Sequence, residues 1–303
     1  MTAPWRDREV HYPDEATWTA ARAGFFGASE AAALMGESPW STPLQVYAAR
    51  VSPQATSGDT PEHLYWGSAL EAAIAAGVRD RVGRLAVSYA SRIVVMHERV
   101  LRMGATLDGE IVDAATGESR PLEIKTSRTG DGWDDGVPRH YWWQVQHQLA
   151  CTGAPSAMIA CLIGGSRLVW ADIDRDDIAI AALEARVAEM WDRIDRRDPP
   201  PAMAGDGKAL ESLYGVIDEP IVLDGCHVDT VRELAAAKAA RVEADARVAD
   251  LETRIKEALR GHTSAVLADG TKITWKEQSR KESVVKASTF RVLRIAAPKG
   301  EKE

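Results

Sequence analysis

The run Arg197-Asp198-Pro199-Pro200-Pro201 divides this chain in two. Three successive prolines cannot continue a helix, because each lacks a backbone N–H and its ring clashes with the preceding turn. Before the break, short apolar runs alternate between helical and strand spacing, the pattern of a mixed α/β domain. Beyond it, Val231 to Arg260 holds neither glycine nor proline. Leu234, Ala237, Ala244, Val248, Leu251, Ile255 and Ala258 recur there at three-four spacing, interrupted by Arg241. That predicts one helix about 45 Å long, with a narrow alanine-rich seam that fits a helical hairpin or a coiled-coil partner. Thr263–Lys276 then sets Asp269-Gly270 between two β-favouring runs, a hairpin signal. The expected organisation is a poorly ordered leader over 1–19, a domain over 20–197, a linker and mixed segment over 198–228, and a helix-and-hairpin extension over 229–303.

Within the domain, Ser29 precedes Glu30–Met35 and Gly36 follows, which reads as a short capped helix ended by glycine. Thr42-Pro43 opens a second helix, residues 51–60 form a loop, and Trp66–Val82 forms a third helix. Strands are expected at Ile93–Val95, Met103–Thr106, Leu122–Lys125, Ala157–Leu162 and Leu168–Ile173. Tyr141–Thr152 is helical up to Gly153, and Ile178–Ile194 is amphipathic, with Ile180, Leu183, Val187, Met190 and Ile194 on one face.

At 45% hydrophobic and 27% charged residues, the 303-residue chain has ample material for a core. No window of 18 apolar residues predicts a membrane span, and the polar start shows no secretory signal. Cys151, Cys161 and Cys226 form no CxxC pair, which argues against a disulfide framework or a zinc site and fits a reducing cytoplasm. His97, His140, His147 and His262 show no ligand spacing that would suggest zinc. A net charge of -8 weighs against a protein that coats nucleic acid. It leaves room for an enzyme with an acidic metal site and a local basic groove.

The most informative short run is Asp108-Gly109 followed by Glu123-Ile124-Lys125. Alternate side chains on a strand share a face, so Glu123 and Lys125 point the same way while Ile124 enters the core. A hairpin whose connection holds Gly117 and Pro121 brings Asp108 beside Glu123. Two carboxylates and a backbone carbonyl are hard oxygen ligands suited to Mg²⁺ or Mn²⁺. A lysine beside them can position or deprotonate a water and offset charge building on phosphate. Asp-Gly turns are common, and Glu-x-Lys on a strand is usually a solvated face, so the triplet draws weight from its context. Glu71, on the helix before these strands, can add a carboxylate. Gln144 and Gln148, four apart and on one helical face, can orient water or phosphate. Arg22 and the amides behind Ser29 offer a second anion-binding patch.

In this order, RAGFFGASE, YWGSALE, GATLDG, LEIKT and YWWQVQHQLACTG resemble the YqaJ-type viral recombinases, the phage lambda exonuclease family within the PD-(D/E)XK nuclease superfamily. The likeness covers roughly residues 20–165. It implies a restriction-endonuclease-like α/β core with a central mixed β-sheet flanked by helices, extended by the C-terminal helix and hairpin. It also implies a 5'-to-3' exonuclease acting on double-stranded DNA ends with two Mg²⁺ ions, leaving a 3' single strand for recombination by annealing. Matched residue by residue, Asp108 and Glu123 look like metal ligands, the Ile124 carbonyl an extra ligand, Lys125 the catalytic lysine and Glu71 the helix-borne acid. Gln144 and Gln146 match the family's glutamines, and Arg22 and Ser29 fall where it binds the terminal 5'-phosphate. Leu107 replaces the superfamily's proline before the first aspartate. A single-strand annealing protein as partner, assembly into a ring-shaped trimer, and a phage or prophage setting are further implications. The competing readings are another nuclease of the superfamily, an endonuclease or RecB-like enzyme, and a non-catalytic DNA-binding assembly protein that works through the long helix.

Overall fold

A computed structural model describes residues 3–53, 61–83, 85–88, 92–113 and 116–279; most of the loop expected over 51–60 lies outside them. The chain forms two compact units, Met1–Gly215 and Val216–Glu303.

The first unit opens with β1 (Glu9–His11) and α1 (Glu15–Arg22), whose start is fixed by Asp14 accepting the Thr17 N–H at 2.8 Å. Here the expectation of a loose leader meets a different structure. Trp5 is completely buried, Ala3 is buried, and β1 pairs with a later strand. Arg8 donates to the carbonyls of Cys151 and Thr152 at 2.5 and 3.0 Å. The segment is poor in apolar residues, but one fully buried tryptophan removes roughly 200 Å² from water, on the order of 5 kcal/mol.

A 3-10 turn, Ala28–Glu30, runs into α2 (Ala31–Leu34), and Gly36 at φ 74° lets the Glu37 N–H return to the Ala32 carbonyl at 2.8 Å. α3 (Pro43–Val51) carries its proline in the first turn and Thr42 as cap, and α4 (Glu62–Val82) ends at Gly83, φ 73°. There follow β2 (Leu85–Ser88), β3 (Ile93–Met96), β4 (Gly104–Thr106), β5 (Gly109–Val112), β6 (Ser119–Ser127), α5 (Arg139–Thr152), β7 (Ser156–Ile163), β8 (Arg167–Asp174), α6 (Asp177–Arg196) and α7 (Gly207–Leu213).

The main sheet has the order β2-β5-β6-β7-β8, and a smaller one has the order β1-β3-β4. In the main sheet β6 and β7 run parallel and the other neighbours antiparallel. A parallel pair needs a crossover, and α5 supplies it. The strands are apolar on both faces because both are covered. Ala157 and Ile159 of β7 join the cluster that holds Leu34, Leu149 and Leu183, whereas Met158 and Ala160 join Ile74, Val78, Leu122 and Ile124. This is the mixed sheet flanked by helices that the motifs implied.

Two local expectations change. The strand before Asp108, β4, does not pair with β6; it pairs with β3 in the other sheet. The hairpin partner of β6 is β5, which begins just after Asp108, with Gly109 opposite Leu122. Asp108 therefore stands where the chain leaves one sheet and enters the next. The segment after the prolines is also not a free linker up to Gly215: Asp206 and Ala209 are buried, and Thr42 donates to Asp206 at 2.5 Å.

The second unit holds α8 (Cys226–Leu259), closed by Arg260 in a left-handed conformation, and the hairpin β9 (Ser264–Val266) with β10 (Lys272–Thr274). Gly270 takes φ 85° in the turn, as the Asp-Gly signal required.

Candidate active site

β6 sets the site's orientation. Leu122 and Ile124 point into the apolar cluster under α4, so Glu123 and Lys125 must face α5. Glu123 is 1% exposed. Its Oε1 accepts from Lys125 Nζ and from Gln144 Nε2 at 2.5 Å, and its Oε2 accepts from Gln148 Nε2. The i, i+4 spacing of the two glutamines on α5 is what lets them grip one carboxylate. Asp108 Oδ2 accepts the Ile124 N–H at 2.8 Å, tying the entry of β5 to the middle of β6. Glu71 of α4, Asp108, Ile124, Lys125 and Tyr141 line one recess of about 570 Å³, rimmed by Trp40, His63 and Leu64. A larger recess of about 670 Å³ beside Asp172–Ile178 contains none of the expected site residues.

The charges do not balance. Burial, and then the charge of Glu123, push the Asp108 carboxyl well above the ordinary range. The same two causes, in the same order, raise Glu71. Burial opposes the Lys125 ammonium, but Glu123 and Asp108 outweigh it and hold its pKa above the ordinary value. Three carboxylates thus share one ammonium, Glu71 and Asp108 at the recess and Glu123 buried behind it, a donor set that a divalent cation would complete.

The other expected residues are placed differently. Gln146 is fully buried and turned away: it donates to the Asp174 carbonyl at 2.8 Å and accepts from the Asp176 N–H at 2.9 Å. Residues two apart on a helix point to nearly opposite sides whereas residues four apart share a face, so Gln146 braces the β8–α6 corner while Gln144 and Gln148 meet Glu123. Arg22 lies exposed at the end of α1, its guanidinium 5.0 Å from the Trp18 ring. Ser29 is exposed and caps nothing; it sits inside the 3-10 turn, and the Gly27 N–H donates instead to Glu30 at 3.0 Å. Glu30 also accepts from Arg50 with both oxygens at 2.8 Å. A glutamate three residues into the turn reaches the first free amide more readily than the serine in its middle.

Residues 17–155 match the model of the YqaJ-like viral recombinase domain. The chain carries a YqaJ-like domain. Its relatives include the uncharacterized protein YqaJ of Bacillus subtilis (strain 168), 28% identical over 80% of this chain and 77% of that one. Among solved structures it is similar to an alkaline exonuclease, LHK-Exo, from Laribacter hongkongensis, at 22% identity and TM-score 0.48 over 60% of this chain and 94% of that one. It is also similar to a phage-related exonuclease from Haemophilus somnus 129PT, at 14% identity and TM-score 0.42 over 57% and 94%. The YqaJ-like domain contains Arg22, Ser29, Glu71, Asp108, Glu123, Ile124, Lys125, Gln144 and Gln146. No described helix is long and apolar enough to cross a membrane.

One cluster lies outside the YqaJ-like domain and escaped the sequence reading. Asp224, Cys226 and His227, all exposed, hold their donor atoms within 4.8 Å of one another at the start of α8. Asp-x-Cys-His has no regular ligand spacing, and only the tight turn into the helix brings the three together.

Proposed function

We propose that the recess of the YqaJ-like domain cuts DNA as a metal-dependent 5'-to-3' exonuclease on double-stranded ends, leaving 3' overhangs for strand annealing. The observation that carries this reading is the surplus of carboxylate around one lysine: buried Glu123 with half-buried Asp108 and Glu71 against Lys125. Such a surplus is unfavourable unless a cation answers it. Asp108, Glu123 and Glu71, with the Ile124 carbonyl, are the residues that would hold Mg²⁺, as a pair of ions or with Mn²⁺ in substitution. When bound, the metal polarises the phosphate and lowers the pKa of a water.

The chain's own residues do the rest. Gln144 and Gln148 fix the Glu123 carboxylate. Lys125, kept protonated by its neighbours, positions the attacking water and offsets charge growing on the phosphate. Arg22 offers a forked donor to the terminal 5'-phosphate, with the Ser29 hydroxyl beside the same turn. Since the nearest free amide is already taken by Glu30, Arg22 rather than a helix end carries the anion binding. The substrate partner is double-stranded DNA; a single-strand annealing protein and a trimeric ring complete the proposal, as does a functional boundary of the nuclease near the triple proline.

Digestion of linear duplex labelled at one end, with 5'-phosphate and 5'-hydroxyl forms compared and EDTA as control, tests this reading. Mg²⁺-dependent loss of the 5' strand from phosphorylated ends is the expected result. Cleavage of closed circles at the same rate would point to an endonuclease, and metal-independent binding without cleavage to an assembly protein.

A further inference from the structure

α8 spans 34 residues, and of these Leu259 alone is buried and Leu234 half-buried. Its apolar side chains stand open: Val231 is 40% exposed, Val248 55%, and Leu251 and Ile255 44% each. They do not scatter. Leu234, Arg241, Val248 and Ile255 recur at one heptad position, and Ala237, Ala244, Leu251 and Ala258 at the position three residues on. This is the a/d seam of a two-stranded coil, and its large side chains Val248, Leu251 and Ile255 stand exposed.

We infer that α8 pairs with α8 of a second copy of this chain, side by side and antiparallel. Arg241 decides the orientation. In a parallel pair, Arg241 of one copy meets Arg241 of the other inside the seam, two like charges in one layer. In the antiparallel register centred between Arg241 and Ala244, each Arg241 lies over Ala244 of the other copy. The small side chain leaves room for the arginine stem, whose head reaches water. The same register sets Leu234 against Leu251 and Val248 against Ala237, so large side chains face large or small ones without clash. At the flanks, Glu233 meets Arg254 and Lys238 meets Asp245, each twice by symmetry. A parallel pair would also match flanking charges, Glu233 with Lys238 and Arg247 with Glu252, so the flanks fix the register while Arg241 fixes the direction. The two helix dipoles then oppose, which favours the same arrangement. The pairing is independent of the nuclease reading and of any ring built by the first unit.

Cys226 is exposed whereas Cys151 and Cys161 are buried, so a nitroxide label on the full chain goes to Cys226 alone. The antiparallel pair separates the two labels by about 50 Å, the rise of the helix between residues 226 and 259. A parallel pair brings them within about 20 Å, the interaxial spacing plus the label arms. Sedimentation equilibrium gives the second readout. Lys238→Glu is expected to weaken association about tenfold, and Asp245→Lys in the same chain to restore it. Rescue by Glu233→Lys instead, a short label separation, or association indifferent to all of these substitutions would overturn the inference.

Discussion

Glu30 and Glu123 are both acids held in the first unit, and they are answered differently. Glu30 meets Arg50 with both oxygens and takes the Gly27 N–H, so one charge is matched by one charge. Glu123 shares a single ammonium with Asp108 and Glu71, and two of the three carboxyls are pushed toward their neutral forms. A balanced pair locks a turn in place and asks nothing further of solvent. An unbalanced group leaves carboxylate charge unanswered, which is what the proposed metal site would use. The first arrangement is architecture, the second is the proposed site.

The sharpest break of that comparison substitutes the two bases. Lys125→Ala should lower duplex digestion by about a thousandfold, equivalent to about 4 kcal/mol of transition-state stabilisation, while the protein remains folded. Arg50→Ala should leave the rate per folded molecule within about twofold and cost about 2 kcal/mol of stability instead. The pair is read by gel digestion together with urea unfolding. Normal digestion by the Lys125 variant would remove the distinction.

His147 offers a third environment, a titratable group buried with no acid to pair with among the described residues. Its imidazole, against the Gly104 carbonyl at 3.0 Å, is held down to about 4 by burial. It is therefore neutral in the folded chain and free to protonate on unfolding. Stability should be intact above about pH 6.5 and fall as pH drops toward 4, by about 3 kcal/mol from this group. His147→Gln should flatten that part of the profile in melts at pH 7 and 4.5. An unchanged slope would show that the ring is not held neutral.

Gln146 and Gln148 sharpen the contrast within one helix. Gln148→Ala should slow digestion by roughly tenfold, because Glu123 loses a clamp. Gln146→Ala should leave the rate near wild type and cost about 2 kcal/mol of stability, because the Asp174 carbonyl and Asp176 N–H lose their partner. Smallest of all, Arg22→Ala should reduce the preference for 5'-phosphorylated over 5'-hydroxyl ends by about threefold without changing metal binding. Equal loss on both ends would detach Arg22 from the phosphate.

How much of this was legible in the sequence depended on the range of the cause. Local causes read well: Thr42-Pro43, Gly36, Gly153 and Asp269-Gly270 set element ends by their own φ preferences and caps. The facing of Glu123 and Lys125 followed from strand alternation alone. Pairing partners read poorly. Nothing within a few residues of Asp108 says that β4 turns to β3 while β5 takes β6, because the registers are settled by what each strand covers. Trp5 looked like part of a loose leader for the same reason, its burial being decided by distant elements. The glutamines of α5 divided for a reason that is legible, since helical spacing already separates Gln146 from Gln144 and Gln148. Ser29 misled because a good capping residue stood beside a better-placed competitor, Glu30.

The central claim is that Asp108, Glu123 and Lys125 belong to one metal-dependent site. Calorimetric titration of Mn²⁺ tests it most directly, with Asp224→Asn as the background so that the exposed cluster on α8 is silent. Saturable binding, weakening as pH falls because the raised carboxyls take up protons, and lost on adding Asp108→Asn, is the result expected. Undiminished binding in the Asp108 variant, or no binding to either protein, would contradict it.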